Sequence, residues 1–191
     1  MLRSEKMKNA YSDEGVKTRL ILAALDELSE HGTVDFSLRR VAISAQVSCA
    51  APYRHFKSKD DLIAETAKYI TSKWELLAKE ISAANGVGTK DEIVELSLSA
   101  VKFWIANGNF RSLLMPESDS PLAKEMAAFD LPLNRATDAY FNSLGAHAAI
   151  REEARVRILA LIYGTVLLVA TGRASVDVSL ASLEREVLNF L

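Results

Sequence analysis

Residues 37–59 carry three helix-start signals in close succession, a density that leaves room for short helices only. Ser37 can accept from one of the unpaired amides that open a helix, and Leu38, Val41, Ala42 and Ala45 then share one face. Ser48 offers a second cap after Val47, and the run that follows ends in Tyr53-Arg54-His55-Phe56, with Phe56 placed to pack inward. Ser58 opens a third helix. Asp61 stands three residues after it, and Asp60 and Asp61 meet the positive end of the helix dipole. The spacing predicts two short helices joined by a tight turn, then a long helix.

Such a pair lets one helix enter a DNA major groove while the other braces it on the backbone. The stretch resembles the TetR family of bacterial transcription regulators. The likeness begins in the preceding helix, with Arg19, Ile21-Leu22-Ala23-Ala24-Leu25 and Leu28, and passes through the Gly32 turn. It continues in Val47-Ser48 and in Tyr53-Arg54-His55-Phe56-Lys57-Ser58-Lys59, whose aromatic, His, Phe, Lys-Ser-Lys order is its most specific part. Two positions depart from the pattern. Gln46 stands where the family usually has Gly, so the turn must form without glycine's backbone freedom. Pro52 removes a backbone donor and disfavours a helical Ala51, so the first turn of the second helix is loosened or that helix begins later. The resemblance covers the first third of the chain in motif, and the remainder only in length and helical character.

Composition agrees. Four prolines and eight glycines in 191 residues favour long helices, and 49% hydrophobic with 25% charged residues is a globular balance. The net charge of -2 is unevenly spread: residues 1–59 hold 10 Lys or Arg against 7 Asp or Glu, and residues 60–191 hold 13 against 18. The basic side carries the paired short helices. Cys49 is the single cysteine, which excludes an intramolecular disulfide or a CxxC metal site and fits a reducing cytoplasm. Residues 1–8 alternate charge with isolated apolar groups and read as a mobile arm, not a signal peptide. The uncharged run 158–172 is shorter than the roughly 20 residues that span a bilayer, so it reads as a buried helix and no membrane is expected.

An all-α chain is expected, with a three-helix DNA-binding domain over 1–59 and an effector-binding and dimerisation domain over 60–191. Helical periodicity predicts helices near 60–84, 89–106, 133–144, 150–172 and 178–191, with short helices and turns across the proline-rich 109–132. The 150–172 helix is apolar nearly all round and so must be covered on every side, and Ala160 and Gly164 would let another backbone approach. Leu180, Leu183, Val187 and Leu191 form a stripe on the last helix. The resemblance implies a homodimer through these two helices, although stripes of this kind also serve an ordinary monomer core.

The resemblance also marks site residues. Arg39 matches a base-reading position, where an arginine can donate two bonds to a guanine edge; a solvated surface charge is the blander account. Cys49, Ala50 and Ala51 fall at the groove-facing start of the second short helix, small enough to meet thymine methyls. Tyr53, His55 and Lys59 resemble phosphate-touching positions, and the amides at Ser37 and Ser48 also suit an anion. His55 could equally be a packing histidine beside Phe56. In the body, Trp74, Phe103, Trp104, Phe110, Leu114, Met115, Met126, Phe129, Tyr140 and Tyr163 belong to helices that enclose an effector pocket in similar proteins. Arg111 is the single charge between 103 and 114, which favours an apolar or aromatic effector whose polar group meets Tyr140, Tyr163 or Asn107. Three scattered histidines, His31, His55 and His147, make no metal site, no cofactor is implied, and no nucleophile or paired-carboxylate motif points to an enzyme. The expected function is a ligand-responsive DNA-binding regulator, a repressor released from its operator by a small molecule. The alternative is a helical sensor or protein-interaction module that does not release DNA on binding a ligand.

Overall fold

A computed structural model describes residues 2–107 and 121–191. Phe110, Leu114, Met115 and Arg111 lie outside the described residues. Every regular element among them is helical: α1 (Leu2–His31), α2 (Leu38–Ser44), α3 (Ala51–His55), α4 (Lys59–Asn85), α5 (Lys90–Ala106), α6 (Pro121–Ala127) with a 3-10 turn at Ala128–Asp130, α7 (Leu131–Ser143), α8 (Ala148–Ala170) and α9 (Val176–Phe190). Contacts divide these into two units. One groups residues 2–70 with 121–126, and the other groups 71–107 with 127–191. Among the described residues, no helix is long and apolar enough to cross a membrane.

In the first unit α1, α2 and α3 pack against one another. The periodic apolar positions of the sequence make its core: Leu20, Ala24, Leu28, Val41, Ala42, Phe56 and Leu62 are buried. α1 ends where Gly32 takes a positive φ of 68° and its amide returns to Leu28 O. The expected N-terminal arm is instead continuous with α1 from Leu2, because no proline interrupts 2–31 and the glycine at 15 is tolerated inside a helix. At α4 the Ser58 hydroxyl accepts from the Asp61 amide at 3.0 Å, and Asp61 Oδ2 accepts from the Lys57 amide at 2.8 Å, a reciprocal cap of the expected kind.

In the second unit α5 packs against α7, α8 and α9, and α8 packs against α7 and α9. Ile93, Leu96, Val101, Trp104, Leu133, Ile158, Ile162, Val166, Leu183 and Val187 are buried there. Thr89 caps α5 by accepting from the Glu92 amide, while the Glu92 carboxylate accepts from Gly88 N at 2.6 Å. Arg155 donates to Asp138 across α7 and α8, and Tyr140 OH donates to the carbonyl of Leu191 at 2.7 Å, fixing the C-terminus.

Two expectations about the last helices change. α8 is covered on one side only: Ala154, Ile158, Ile162 and Val166 are buried, whereas Val156, Leu167 and Leu168 are exposed. On α9 the stripe serves this chain's own core, since Leu183 and Val187 are buried within the unit. The 3.6-residue period marks an apolar face without saying which neighbour covers it.

Candidate nucleic-acid interface and aromatic cluster

The turn between α2 and α3 sets the angle of the short helices, and Gln46 makes it. Ala45 ends α2, Gln46 adopts φ 55°, and two backbone bonds close the helix: Gln46 N to Ile43 O and Val47 N to Ala42 O, both 3.0 Å. That pair of bonds is a Schellman closure, which requires a left-handed residue at the position after the cap. Gln46 is the one non-glycine with positive φ among the described residues. The departure from glycine noted in the sequence therefore changes the residue but not the turn.

Pro52 has the second consequence foreseen. α3 begins only at Ala51, with the proline in its first turn, where a missing amide costs no helical bond. Ser48 is not its cap, contrary to expectation. The capping position falls at Ala50, which has no side-chain hydrogen bond to offer, and the Ser48 carbonyl accepts from the Ala51 amide at 2.8 Å in the preceding turn.

Around this turn Arg39, Ser48, Cys49, Ala50 and Tyr53 are exposed, and Tyr53 is 68% accessible. Ser37 and His55 are half-buried, with the His55 ring 6.3 Å from that of Phe56. Ala51 leaves the groove-facing set: it is buried and belongs to the core of the unit, because the late start of α3 turns its first residue inward. The Ser37 hydroxyl caps α2 as expected, accepting from Arg40 N at 3.4 Å. Its own amide does not wait for an anion, since it donates to Glu27 Oε1 at 2.9 Å. Lys59 Nζ donates to the carbonyls of Thr33 at 3.1 Å and Val34 at 3.4 Å, tying the start of α4 to the loop after α1. An ammonium has three protons, so one donor remains for a phosphate.

Sequence reasoning missed Glu27. It lies on the apolar face of α1 between Ala24 and Leu28, only 6% exposed, and an acid inside an apolar stripe is the signal that would have found it. Arg40 Nε donates to both of its carboxylate oxygens, at 2.9 and 3.0 Å, and Arg40 Nη2 donates to Glu27 Oε1 and to the carbonyl of Asp35. Burial opposes the Glu27 charge, but the hydrogen bonds from Arg40 and from the Ser37 amide, with attraction to Arg40 and His31, outweigh it and hold its pKa below the ordinary value. Alongside, Lys17 pairs with Glu65 at 2.8 Å and lies over the Phe56 ring, joining α1 to α4 and to the end of α3.

Residues 20–66 match the family model described as bacterial regulatory proteins, tetR family. That segment is therefore a TetR-type N-terminal domain. The match spans the Schellman turn, α3 and the capped start of α4, so the TetR-family resemblance read from the motif is correct. No curated protein sequence matches. Solved structures extend the likeness over nearly the whole chain. The FadR transcriptional regulator from Bacillus subtilis, in complex with stearoyl-CoA, superposes with a TM-score of 0.77 at 16% identity, covering 91% of this chain and 98% of its own. The fatty acid degradation regulator FadR from Bacillus halodurans gives 0.71 at 16% identity, with 91% and 98% covered. At such identities the likeness is one of fold.

The second unit holds an aromatic cluster. Trp74 stacks on Phe129 with centroids 4.8 Å apart and donates Nε1–H to the Phe129 carbonyl at 2.8 Å. Phe103 and Trp104 close on the same Phe129 ring at 5.7 and 4.9 Å. Met126 is buried and is grouped with the first unit. The three polar handles expected to meet an effector are otherwise engaged: Tyr140 with the C-terminus, Asn107 Nδ2 with Phe103 O at 2.7 Å, and Tyr163 OH with Asp130 Oδ1 at 2.7 Å. Burial raises the Asp130 pKa, and the Tyr163 bond only partly offsets it. Among the described residues, three buried polar atoms of the unit have no partner, Trp104 Nε1, Asn134 Oδ1 and Thr137 Oγ1.

Proposed function

We propose that this chain is a ligand-responsive repressor that binds operator DNA as a homodimer and releases it when a small, largely apolar molecule enters the second unit. The observation that carries the DNA reading is the α2–α3 turn, which leaves Arg39, Cys49, Ala50 and Tyr53 exposed within the segment that matches the tetR model. Arg39 reads a base edge, while Tyr53, His55, Lys59 and the Ser48 region position the unit on phosphates. Ser37 and Ala51 act from behind, as cap and packing residues.

The exposed face of α8 supports the dimer. Val156, Leu167 and Leu168 are open, and a Cβ added at Gly164 would meet nothing within 4 Å of this chain. An apolar helix face of that kind is covered by a second copy. Operator binding then depends on placing two α3 helices one DNA turn apart, about 34 Å, and any ligand-favoured state that breaks this spacing loses one half-site.

The aromatic cluster supports an apolar effector, and the unpartnered indole N–H of Trp104 is a donor that a ligand carbonyl would satisfy. The stearoyl-CoA held by the Bacillus subtilis FadR structure makes acyl chains the first probes. The test is to titrate stearoyl-CoA and stearic acid against a preformed complex of the protein with duplex DNA from its own upstream region, reading anisotropy. Release by one of them, paralleled by a change in tryptophan fluorescence of the free protein, supports the reading. Tight DNA binding that a panel of apolar ligands leaves unchanged, although some bind the free protein, favours the sensor or interaction module instead.

A further inference from the structure

We infer that Glu27 is a specificity-determining residue of the DNA-binding domain: by holding Arg40, it keeps a second arginine beside Arg39 from adding sequence-independent affinity. The inference rests on the DNA-binding reading above. Arg39 and Arg40 are adjacent at the start of α2, and both are exposed, with the Arg40 side chain 46% accessible. Their surroundings differ. Arg40 gives Nε and Nη2 to the Glu27 carboxylate and Nη2 also to the Asp35 carbonyl, so the Nε–Nη2 fork is spent inside the domain and the Nη1–Nη2 fork has lost its Nη2 protons.

The acid that takes them is nearly buried and also receives the Ser37 amide, so it cannot swing out with the arginine without abandoning that bond and uncovering an unpaired charge. A carboxylate directly behind the guanidinium cancels its charge as a phosphate would see it. A domain that must find one site among many non-specific ones gains discrimination when cations that read no base are neutralised. Arg39 is left as the arginine of the pair that is free to read a base.

The test uses the full-length protein with three variants, Glu27→Gln, Arg40→Gln and the double variant, measured by anisotropy on a random duplex and an upstream duplex across 50 to 200 mM salt. Gln at 27 still accepts from the Ser37 amide but no longer neutralises Arg40. Glu27→Gln is expected to bind the random duplex more tightly than wild type, and that advantage should shrink by about threefold per protomer over this salt range, as one added phosphate contact dictates. Arg40→Gln should keep the wild-type salt slope, because Arg40 is already silent, and the double variant should return to that slope. Thermal melting and far-UV circular dichroism separate these effects from loss of fold. A steeper slope in a destabilised Glu27→Gln would still support the inference, since unfolding does not create phosphate contacts. A flatter slope for Arg40→Gln would overturn it, by showing that Arg40 contacts phosphate in the wild type, and so would an unchanged slope in a folded Glu27→Gln. Absence of DNA binding by the wild type would instead strike the DNA-binding reading itself.

Discussion

Replacing Gln46 by glycine should stabilise this protein, which is the reverse of what a glycine substitution usually does. Gln46 sits at φ 55° and closes α2 through its amide and that of Val47, so the position demands a left-handed backbone whatever its side chain. An L-residue there costs roughly 1–2 kcal/mol. Glycine removes that cost but adds about 0.5–1 kcal/mol of chain entropy to be lost on folding. The Gln46 side chain is exposed and sits at the end of α2, so little packing is forfeited. The net expectation for Gln46→Gly is a gain of about 0.5–1 kcal/mol, which for a chain of this size raises Tm by roughly 1–4 °C. Gln46→Ala keeps the strained φ and should lie within about 0.5 kcal/mol of wild type, while Gln46→Val, branched at Cβ, should fall below it. Calorimetry and urea unfolding of the three variants test the ordering Gly, then Gln and Ala, then Val. A glycine variant less stable than wild type, or a valine variant equal to it, would refute the assignment of strain to this turn.

Gly88 should behave in the opposite way. Its φ is 72° and a Cβ added there would lie only 2.9 Å from Ala139 Cβ, so Gly88→Ala should cost roughly 2–4 kcal/mol in urea unfolding, combining backbone strain with overpacking against α7. Gly164→Leu has room in the single chain, so it should leave the melting of the monomer fold intact while lowering the dimer fraction in analytical ultracentrifugation. Asp130→Asn should alter the pH dependence of stability. Burial raises the folded pKa of Asp130, so its contribution is fully present below the unfolded carboxyl value near 4 and is lost as pH rises through the folded value. The asparagine variant, which keeps an acceptor for Tyr163, should therefore gain on wild type between pH 4 and 7 in thermal melts, and an identical pH profile for both proteins would contradict that.

The all-helical class and the helix positions were legible because apolar period and caps act locally. Ser37 and Ser58 each cap the helix expected of them, and Pro52 delays α3 as its missing amide requires. What escaped the sequence depended on neighbours distant along the chain. Ala51 looks groove-facing until the late start of α3 turns it into the core, and Leu183 and Val187 look like an interface until α5 and α8 cover α9. The candidate polar handles Tyr140 and Tyr163 spend their hydroxyls on Leu191 and Asp130, 51 and 33 residues away, and no local pattern announces either bond. Glu27 was the converse case, a charge whose meaning depends on Arg40, 13 residues on and across a turn.

The central claim is tested most directly by fluorescence anisotropy of the wild type and of Arg39→Ala on duplex from the upstream region of its own gene and on a random duplex, at one fixed salt concentration. Wild type should prefer the upstream duplex strongly. Arg39→Ala should lose about 1–3 kcal/mol of that preference, roughly a five- to 150-fold change in the affinity ratio per half-site, with a smaller change on random DNA. Equal losses on both duplexes would remove Arg39 as a base reader, and a wild type that binds the two alike would contradict the claim that this domain recognises an operator.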